Sequence, residues 1–461
     1  MRKQDHLMTY HPDTYQPLTF GAARERFLKG EQLPSAFLEE CLNTIEEREP
    51  VVKAWVVLNK DGARAAARES DLRYQAGKPL SQIDGMPVGI KDLIETKDMP
   101  TQMGSPAYAG EFPKRDSALV RALRDAGAII LGKTVTTALG FLDPGPTTNA
   151  FDSERTPGGS SSGSGAAVGA KMVPVAIGSQ LVGSVLRPAS FNANWALKPT
   201  FGGINRGERL GYSQSHIGIH AGCAEDMWAT AMAIVTRVGG DPGHPGLYGG
   251  MSAPQPQAPK RLAVLETEGW PRLDGASREA FEGLLERLQA HGVEIIRRTD
   301  LQLLELFEQS IATATANMLR LISWEQRWSL ENMIEQHPGT LGPSLIRQLE
   351  NGRTVTLETF REDLALRDLA RQRMVALAKY CDALISPASC GPAPRFETTK
   401  GSAFPTGDVS FSCVSSYIGA PAVAAPLLAV EGMPMGVQLI GQMHEDERVT
   451  AYARWLSQEM R

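Results

Sequence analysis

Hydrophobic side chains along this chain follow helical and strand-like spacings in alternation. In PSAFLEECLNTIEE, apolar residues recur at helical spacing from Phe37 to Ile45, which predicts an amphipathic helix with Ser35 as its N-cap. Short apolar runs predict strands in VVKAWVVL (51–58) and in GMPVGIK, which ends at Lys91. The segment DSALVRALRDAGAIILGKT predicts a helix followed by a buried strand.

The second half of the chain repeats this order of elements. SREAFEGLLERLQAHGVEII predicts a helix and then a strand, residues 300–380 predict several helices, and AVAAPLLAV and MGVQLIG predict strands near the C-terminus. Such alternation predicts an α/β fold with a largely parallel sheet covered by helices on both faces. The Pro/Gly-rich segment 239–260 is the best candidate for a linker.

Composition and charge exclude several classes of protein. The 461 residues are 42% hydrophobic and 21% charged, which is typical of a soluble globular protein. A net charge of -5 spread along the chain argues against nucleic-acid binding, and no apolar stretch has the length of a membrane span or a signal peptide. We therefore expect a cytoplasmic protein. Its five cysteines are odd in number and lack metal-ligand spacing, which indicates free thiols and no metal site.

Two short motifs match known patterns by their letters but conflict with their surroundings. GAIILGKT (127–134) fits the phosphate-loop pattern, yet its four central residues are apolar and favour a core strand over a flexible loop. Gly159–Gly163 fits the G-x-S-x-G nucleophile elbow, which requires an apolar strand before it; here the polar NAFDSERTP precedes it. His216, His220 and His444 are available as partners but fit structural or surface roles better.

A Gly/Ser-rich stretch stands out in the first half of the chain. Residues 158–165 are only glycine or serine, a composition typical of flexible linkers. The stretch runs directly into the apolar AAVGAKMVPVAIG, which indicates burial. This combination favours a loop whose backbone lies close to other groups.

Several motifs in fixed order resemble the amidase signature family. RTPGGSSSGSGAAV, GSQLVGSVLRPASF and ALKPTFGGI follow one another, GMPVGIKD precedes them, and LISPASCGPAP and PMGVQLIG follow, so that the resemblance covers residues 20–455. It implies a single large domain with a mixed, mostly parallel central sheet covered by helices on both faces. Residues 1–80 would form an N-terminal helical segment packed on the core and residues 81–461 the amidase signature domain, with 239–260 as a loop inside it.

The resemblance also implies a set of catalytic residues. Ser184 would be the nucleophile, Ser160 a bridging serine on a cis peptide bond, and Lys91 the general base. This chemistry is reasonable because a serine hydroxyl needs a base, and burial can keep a lysine neutral so that it serves as one. The oxyanion hole would use backbone N–H groups of Leu181, Val182, Gly183 and Ser184. Weaker candidates for substrate contact are Met103, Phe141, Ser161 and Gln180.

The turn around Ser184 departs from the family pattern. Gln180 stands at an aspartate position, Val182 replaces a glycine, and the arginine lies one step later, at Arg187 instead of residue 186. This suggests that an ion pair is replaced by a neutral arrangement. Asn194 and Trp195 are also atypical, so the resemblance leaves the identity of the substrate open.

The function implied is hydrolysis of the C–N bond of a small, non-peptide carboxylic acid amide through an acyl-enzyme on Ser184, without a cofactor or metal. The expected partner is a small-molecule amide, with neither nucleic acid nor a membrane involved, and a homodimer is possible. Two alternatives remain open. One is a non-hydrolytic subunit of the same fold, and the other is an amidotransferase-type subunit that acts on charged tRNA with partner subunits.

Overall fold

An eleven-stranded sheet runs through the part of the chain that the computed structural model describes, residues 8–209 and 211–460. In chain order the strands are β1 Trp55–Leu58, β2 Pro87–Lys91, β3 Ile129–Thr134, β4 Val175–Gln180, β5 Trp195–Lys198, β6 His216–Ala221, β7 Arg261–Val264, β8 Glu294–Ile296, β9 Ala383–Pro387, β10 Ala422–Val430 and β11 Met433–Ile440. Their order across the sheet is β1-β3-β2-β4-β6-β5-β10-β11-β9-β7-β8.

The sheet is mixed, as the resemblance implies. Parallel pairs join β3, β2 and β4 on one side and β9, β7 and β8 on the other, and the strands between them pair antiparallel. The segments that connect the strands differ between parallel and antiparallel neighbours. Parallel neighbours are linked through helices, whereas β10 and β11 form a hairpin whose two-residue loop, Glu431 and Gly432, has positive φ at both positions.

Helices cover both faces of this sheet. They are α1 Phe20–Leu28, α2 Pro34–Val52, α3 Lys60–Gln75, α4 Ala118–Asp125, α5 Ser162–Gly169, α6 Leu186–Phe191, α7 Ala224–Val238, α8 Gly275–Ala290, α9 Gln302–Ile311, α10 Ala314–Gln336, α11 Pro343–Thr354, α12 Leu357–Leu377, α13 Phe396–Thr399, α14 Val414–Ile418 and α15 Asp446–Glu459. Alternate strand residues face opposite layers. In β4, Val175 and Ile177 belong to the apolar cluster that contains α4 and α7, and Ala176 belongs to the one that contains α5.

The Gly/Ser-rich stretch is a packed element and not a linker. Helix α5 begins inside it, at Ser162, and all of its residues are buried. Glycine is required there because the backbones come very close: a Cβ on Gly163 would lie 2.2 Å from the carbonyl oxygen of Ala54 and 2.3 Å from the backbone nitrogen of Val135. The absence of side chains therefore lets the stretch lie against the sheet.

Two local predictions near the N-terminus are wrong in detail. The strand predicted over 51–58 starts only at Trp55, because α2 continues to Val52 and ends where Lys53 adopts a left-handed conformation. Ser35 is not the N-cap of α2. The helix starts at Pro34, whose fixed φ suits the first helical position, and the backbone N–H of Ser35 donates to Asp71 instead.

Three other segments singled out in the sequence have the following places in the fold. The phosphate-loop match ends in the buried strand β3, which leaves no flexible loop for a nucleotide. The Pro/Gly-rich segment 239–260 connects α7 to β7, and both flanking regions belong to the same sheet. Residues 1–80 contribute β1, which pairs antiparallel with β3.

Candidate active site

Lys91 lies at the end of β2, fully buried beneath the Gly/Ser-rich stretch. Its Nζ is 2.7 Å from Ser160 Oγ and 3.0 Å from both Ser161 Oγ and Ser179 Oγ. The carbonyl oxygen of Ser179 is 3.3 Å away. Parallel pairing of β2 with β4 brings Lys91 and Ser179 together, so the lysine amine is surrounded by neutral hydroxyl and carbonyl groups.

The surroundings of Lys91 favour its neutral form. Burial lowers the pKa of Lys91 well below the usual value, and no carboxylate in the described residues forms an ion pair that would raise it again. Lys133 on the adjacent strand β3 is a useful contrast. Burial lowers the pKa of Lys133 as well, but its Nζ lies 3.1 Å from a carboxylate oxygen of Asp92, whose charge opposes this shift. Burial without an acidic partner is the arrangement expected of a lysine base.

Ser160 is held by contacts of its backbone. The peptide bond between Gly159 and Ser160 is cis, and Gly158 has a φ of 81°. The carbonyl oxygen of Ser160 accepts a hydrogen bond from the N–H of Thr137 at 3.2 Å, and Arg187 donates to the carbonyl of Gly159. Both flanks of the serine are thereby tied to neighbouring segments.

Ser184 lies in the turn between β4 and α6, and the Gln180 side chain shapes this turn. Gln180 Oε1 accepts hydrogen bonds from the N–H groups of Val185 and Leu186. Its Nε2 donates to the carbonyl of Ser412 and to Ser416 Oγ. The amide of Gln180 is thus fully used within the protein, and it is a neutral group at the position where the resemblance implies an aspartate.

The backbone of the turn leaves four donors free. The N–H groups of residues 181–184 donate no hydrogen bond to any described residue, and the Ser184 hydroxyl also has no partner there. The carbonyl oxygen of Ser184 accepts a hydrogen bond from the N–H of Ser161 at 3.3 Å, which ties the two serine-bearing turns together. Free donors of this kind suit a site where negative charge develops.

A pocket of about 360 Å³ is lined by residues that neighbour the site in sequence, although Lys91, Ser160 and Ser184 themselves are not part of its lining. Leu93, Met103 and Leu139 form part of its wall. Gly140, next to Leu139, approaches Ser160 so closely that a Cβ on Gly140 would lie 3.6 Å from Ser160 Oγ. The remaining lining residues are Tyr108, Arg209, Tyr212, Gln326, Ser329, Leu330, Met333 and Leu345.

The structure brings some of the predicted site residues together and places others elsewhere. Lys91, Ser160, Ser161 and the 181–184 turn come together, and Met103 lines the pocket. Phe141 packs in the apolar cluster of Ile322 and Leu345 behind the pocket wall. Of the three histidines, His216 and His220 are buried on β6 and His444 follows β11, and none bonds to Ser184 within the described chain.

Sequence reasoning missed Ser179 as a contact of Lys91. Its only signal is its position five residues before Ser184, in the strand that leads into the nucleophile turn. The five cysteines are free. Among the described residues no cluster of acidic, histidine or cysteine side chains could hold a metal, and no described helix has the length and apolar character needed to cross a membrane.

Comparison with known proteins decides the family. The sequence model of the family named Amidase matches residues 36–450. The chain belongs to the amidase signature family. This amidase signature protein is 31% identical to a glutamyl-tRNA(Gln) amidotransferase subunit from Chloroflexus aggregans (strain MD-66 / DSM 9485), over 93% of this chain and 93% of the relative.

Solved structures of other members share the fold of this amidase signature protein. A crystal structure of an amidase superposes with a TM-score of 0.82 at 27% identity, covering 96% of this chain and all of the other. The native peptide amidase from Stenotrophomonas maltophilia superposes with a TM-score of 0.74 at 25% identity, covering 97% and 98% of the two chains. The fold predicted from the sequence is thereby confirmed.

Proposed function

We propose that the protein hydrolyses the C–N bond of a small carboxylic acid amide, with Ser184 as nucleophile, Ser160 as proton relay and Lys91 as general base. The observation that carries this proposal is the buried, unpaired amine of Lys91 at 2.7 Å from Ser160 Oγ. The other two fully buried lysines of the described chain have different partners: Lys133 lies against the carboxylate of Asp92, and Lys198 donates to backbone carbonyl oxygens, whereas Lys91 contacts serine hydroxyls.

In the proposed acylation step, Ser184 Oγ attacks the amide carbonyl while its proton passes to Ser160 Oγ, whose own proton passes to Lys91 Nζ. The tetrahedral intermediate places its negative oxygen near the free N–H groups of residues 181–184. Collapse of the intermediate breaks the C–N bond, and the leaving nitrogen receives a proton from Lys91 by the reverse route. Water then attacks the acyl-enzyme in the same way and regenerates Ser184.

Each proposed N–H donor raises the rate by stabilising the negative oxygen of the tetrahedral intermediate. Removing one such donor in a serine hydrolase typically costs about 3 kcal/mol of barrier lowering. The N–H groups of Val185 and Leu186 are unavailable because Gln180 accepts from them. Gln180 is therefore proposed to act by holding the turn so that residues 181–184 keep their free donors.

Ser160 Oγ contacts Lys91 but forms no hydrogen bond to Ser184 Oγ in the described structure. We propose that this second hydrogen bond forms when substrate binds. Hydrogen bonds between catalytic groups are often long or misaligned without substrate and tighten in the reacting complex. Met103 and Phe141 would shape the pocket for the acyl group, the first from its wall and the second from behind it. The wall is mainly apolar, which suits the hydrocarbon part of an amide.

A second candidate function is that of an amidotransferase-type subunit. It is favoured by the match, over 93% of both chains, to a protein named as one component of such an enzyme. The chemistry at Ser184 would be the same, but the released ammonia would be used by partner proteins. Purification of the untagged chain from its native cells would separate these alternatives: a stoichiometric second subunit favours the amidotransferase, and an active chain alone favours the amidase. The size of the purified protein in solution tests the possible homodimer, and fractionation of the same cells tests the proposed cytoplasmic location.

Labelling with a fluorophosphonate, which reacts with activated serines, tests the proposed nucleophile. We expect the isolated protein to be labelled at Ser184, and Ser184→Ala to abolish both labelling and ammonia release from a panel of aliphatic, aryl and carbamoyl amides. Ser162→Ala is the control, because that serine lies in the same stretch but does not contact Lys91. Labelling of Ser184→Ala at the wild-type rate would contradict the proposal, and a wild-type protein that is not labelled would favour a non-hydrolytic subunit.

A further inference from the structure

His220 lies on the same face of the sheet as Lys91. Strand β6 pairs antiparallel with β4, which places His220 opposite Ala176. Gly89 of β2 pairs with the same Ala176, and Lys91 lies two residues further along β2. Because alternate residues of a strand project from the same face, the side chains of His220 and Lys91 project to the same layer. This is the layer in which the Gly/Ser-rich stretch lies.

The absence of a side chain at Gly178 brings His220 next to the contacts of the lysine. A Cβ on Gly178 would lie 2.8 Å from Ser161 Oγ and 3.1 Å from His220 Nε2. Ser161 Oγ is in turn 3.0 Å from Lys91 Nζ. One ring nitrogen of the histidine therefore faces the hydroxyl that holds the lysine amine.

The ring of His220 is fully buried and neither of its nitrogens is used. Both Nδ1 and Nε2 lack a hydrogen-bond partner among the described residues. An unpaired buried polar group costs stability, and an aliphatic side chain would avoid this cost. His216, four residues earlier on β6, also has unpaired ring nitrogens, but its ring packs edge-on against Phe201 with the centroids 5.5 Å apart. Within the described chain His220 has no such ring contact, so packing alone does not explain an imidazole at this position.

His220 is uncharged at neutral pH. Burial and, to a smaller extent, the charge of Lys91 lower the pKa of His220 to about 3. A neutral imidazole carries a proton on one nitrogen and a free lone pair on the other. One ring nitrogen of His220 is therefore available as an acceptor in the layer that contains the lysine amine.

Other charged groups near Lys91 have partners of their own. Lys133 and Asp92 form an ion pair on the opposite face of the sheet, since Lys133 pairs with the residue before Lys91. Arg187 donates to the carbonyl oxygen of residue 159, and Lys198 on β5 donates to the carbonyl oxygens of residues 199 and 415. The unpaired histidine on β6 is thus the titratable neighbour that is left to interact with the lysine.

We infer that His220 is a positioning residue of the catalytic base and acts on Lys91 across the Ser161 hydroxyl. In the proposed acylation step the proton of the nucleophile ends on Lys91, which becomes an ammonium ion. With its own proton on Nδ1, His220 presents the lone pair of Nε2 to this cation and stabilises it. The inference rests on the proposed hydrolysis. A carboxylate in this place would hold the lysine protonated before the reaction, whereas a neutral acceptor stabilises the ammonium ion less and leaves the free amine available as a base.

The pH profile of fluorophosphonate labelling at Ser184 tests the inference. We expect His220→Leu to lower the midpoint of this profile by about one pH unit and the plateau rate on the order of 10-fold, because the ammonium ion loses its acceptor. His220→Gln, whose amide oxygen is an acceptor, should restore most of both. His216→Leu is the matched control, since that histidine is equally buried and unpaired on the same strand, and it should leave the midpoint unchanged. An unchanged midpoint in His220→Leu, or an equal decrease in His216→Leu, would overturn the inference.

A second measurement, on the wild-type protein, does not depend on how His220→Leu folds. In NMR spectra of protein whose histidines carry a nitrogen isotope, the Nε2 resonance of His220 should move at the pH where labelling of Ser184 rises, and Lys91→Met should abolish this movement. A His220 resonance that stays constant through the midpoint would overturn the inference and leave the proposed hydrolysis standing. Absence of labelling at Ser184 in the wild type would instead remove the proposed function itself.

Discussion

At the scale of single residues, the account depends on how burial changes the chemistry of one amine and one guanidinium. Lys91 and Arg187 are both buried without a carboxylate partner, but the consequences differ. A lysine can lose its proton under this condition and become a base, whereas an arginine stays charged. Lys91 is therefore the group that we propose as the base, whereas Arg187 keeps its charge and donates to the carbonyl of Gly159.

Substitutions of Lys91 test whether its amine acts as a base or only fills space in the core. We expect Lys91→Met to reduce labelling of Ser184 roughly 1000-fold or more, because the base is lost. Lys91→Arg should not restore it, since a guanidinium remains protonated. Lys133→Met is a matched control for a buried lysine that has an acidic partner. Labelling of Lys91→Arg at the wild-type rate would contradict the assigned role.

Stability should report the protonation state of Lys91 independently of activity. Its folded-state pKa is lowered, so between that value and the unfolded value of 10.5 the unfolded chain binds one proton more. Stability of the wild type should therefore rise with pH in this window by up to about 1.4 kcal/mol per pH unit. Lys91→Met lacks this contribution. Denaturant unfolding of both proteins at several pH values measures the free energy of unfolding of the wild type minus that of Lys91→Met, which should rise with pH. A value that does not change with pH would indicate that Lys91 stays protonated in the folded protein.

At the scale of elements, α5 and the two turns around it position the site. The helix carries no large side chains on its Gly/Ser-rich end, which lets Gly163 approach Ala54 and Val135. Strand pairing then fixes Lys91 against Ser179. Sequence patterns predict these strands because their apolar runs are short and bounded, but they do not reveal that a glycine-rich stretch is a buried helix, since glycine lowers helix propensity. Tertiary packing decides that outcome.

Glycine substitutions test the close approach of α5. Gly163→Ala should destabilise the fold by about 2–4 kcal/mol, because the new methyl group would meet backbone atoms that cannot move aside. The matched control is Gly283→Ala in helix α8, where the nearest atom is 4.0 Å away and a side-chain end, so this variant should be neutral or more stable. Equal Tm values for the two variants would show that α5 is not packed as described.

At the scale of the whole molecule, the N-terminal residues belong to the same structural unit as the site. Strand β1 pairs with β3, and Glu49 accepts hydrogen bonds from the N–H groups of Ala54 and Trp55. The carbonyl oxygen of Ala54 lies against Gly163 of α5. The alternation of elements in the sequence predicts the α/β class, and the resemblance to the amidase signature family implies the mixed sheet. The sequence could not give the central antiparallel order, because strands such as β5 and β10 pair across more than two hundred residues without a local signal.

Removal of residues 1–80 should therefore prevent folding of the rest. We expect residues 81–461 alone to lack a cooperative thermal transition, because β3 loses its partner and α5 loses the backbone it packs on. Co-expression of residues 1–80 as a separate chain should restore part of the transition and of the labelling of Ser184. A stable, labelled 81–461 fragment would show that the N-terminal segment is an independent addition.

The pH dependence of fluorophosphonate labelling at Ser184 tests the central claim most directly. The account predicts that the rate rises with loss of one proton at a pKa well below the usual value for lysine, and that Ser160→Ala lowers the rate roughly 100-fold without moving this midpoint. A midpoint at the ordinary lysine value of 10.5, or an unchanged rate in Ser160→Ala, would contradict a neutral Lys91 that acts through Ser160.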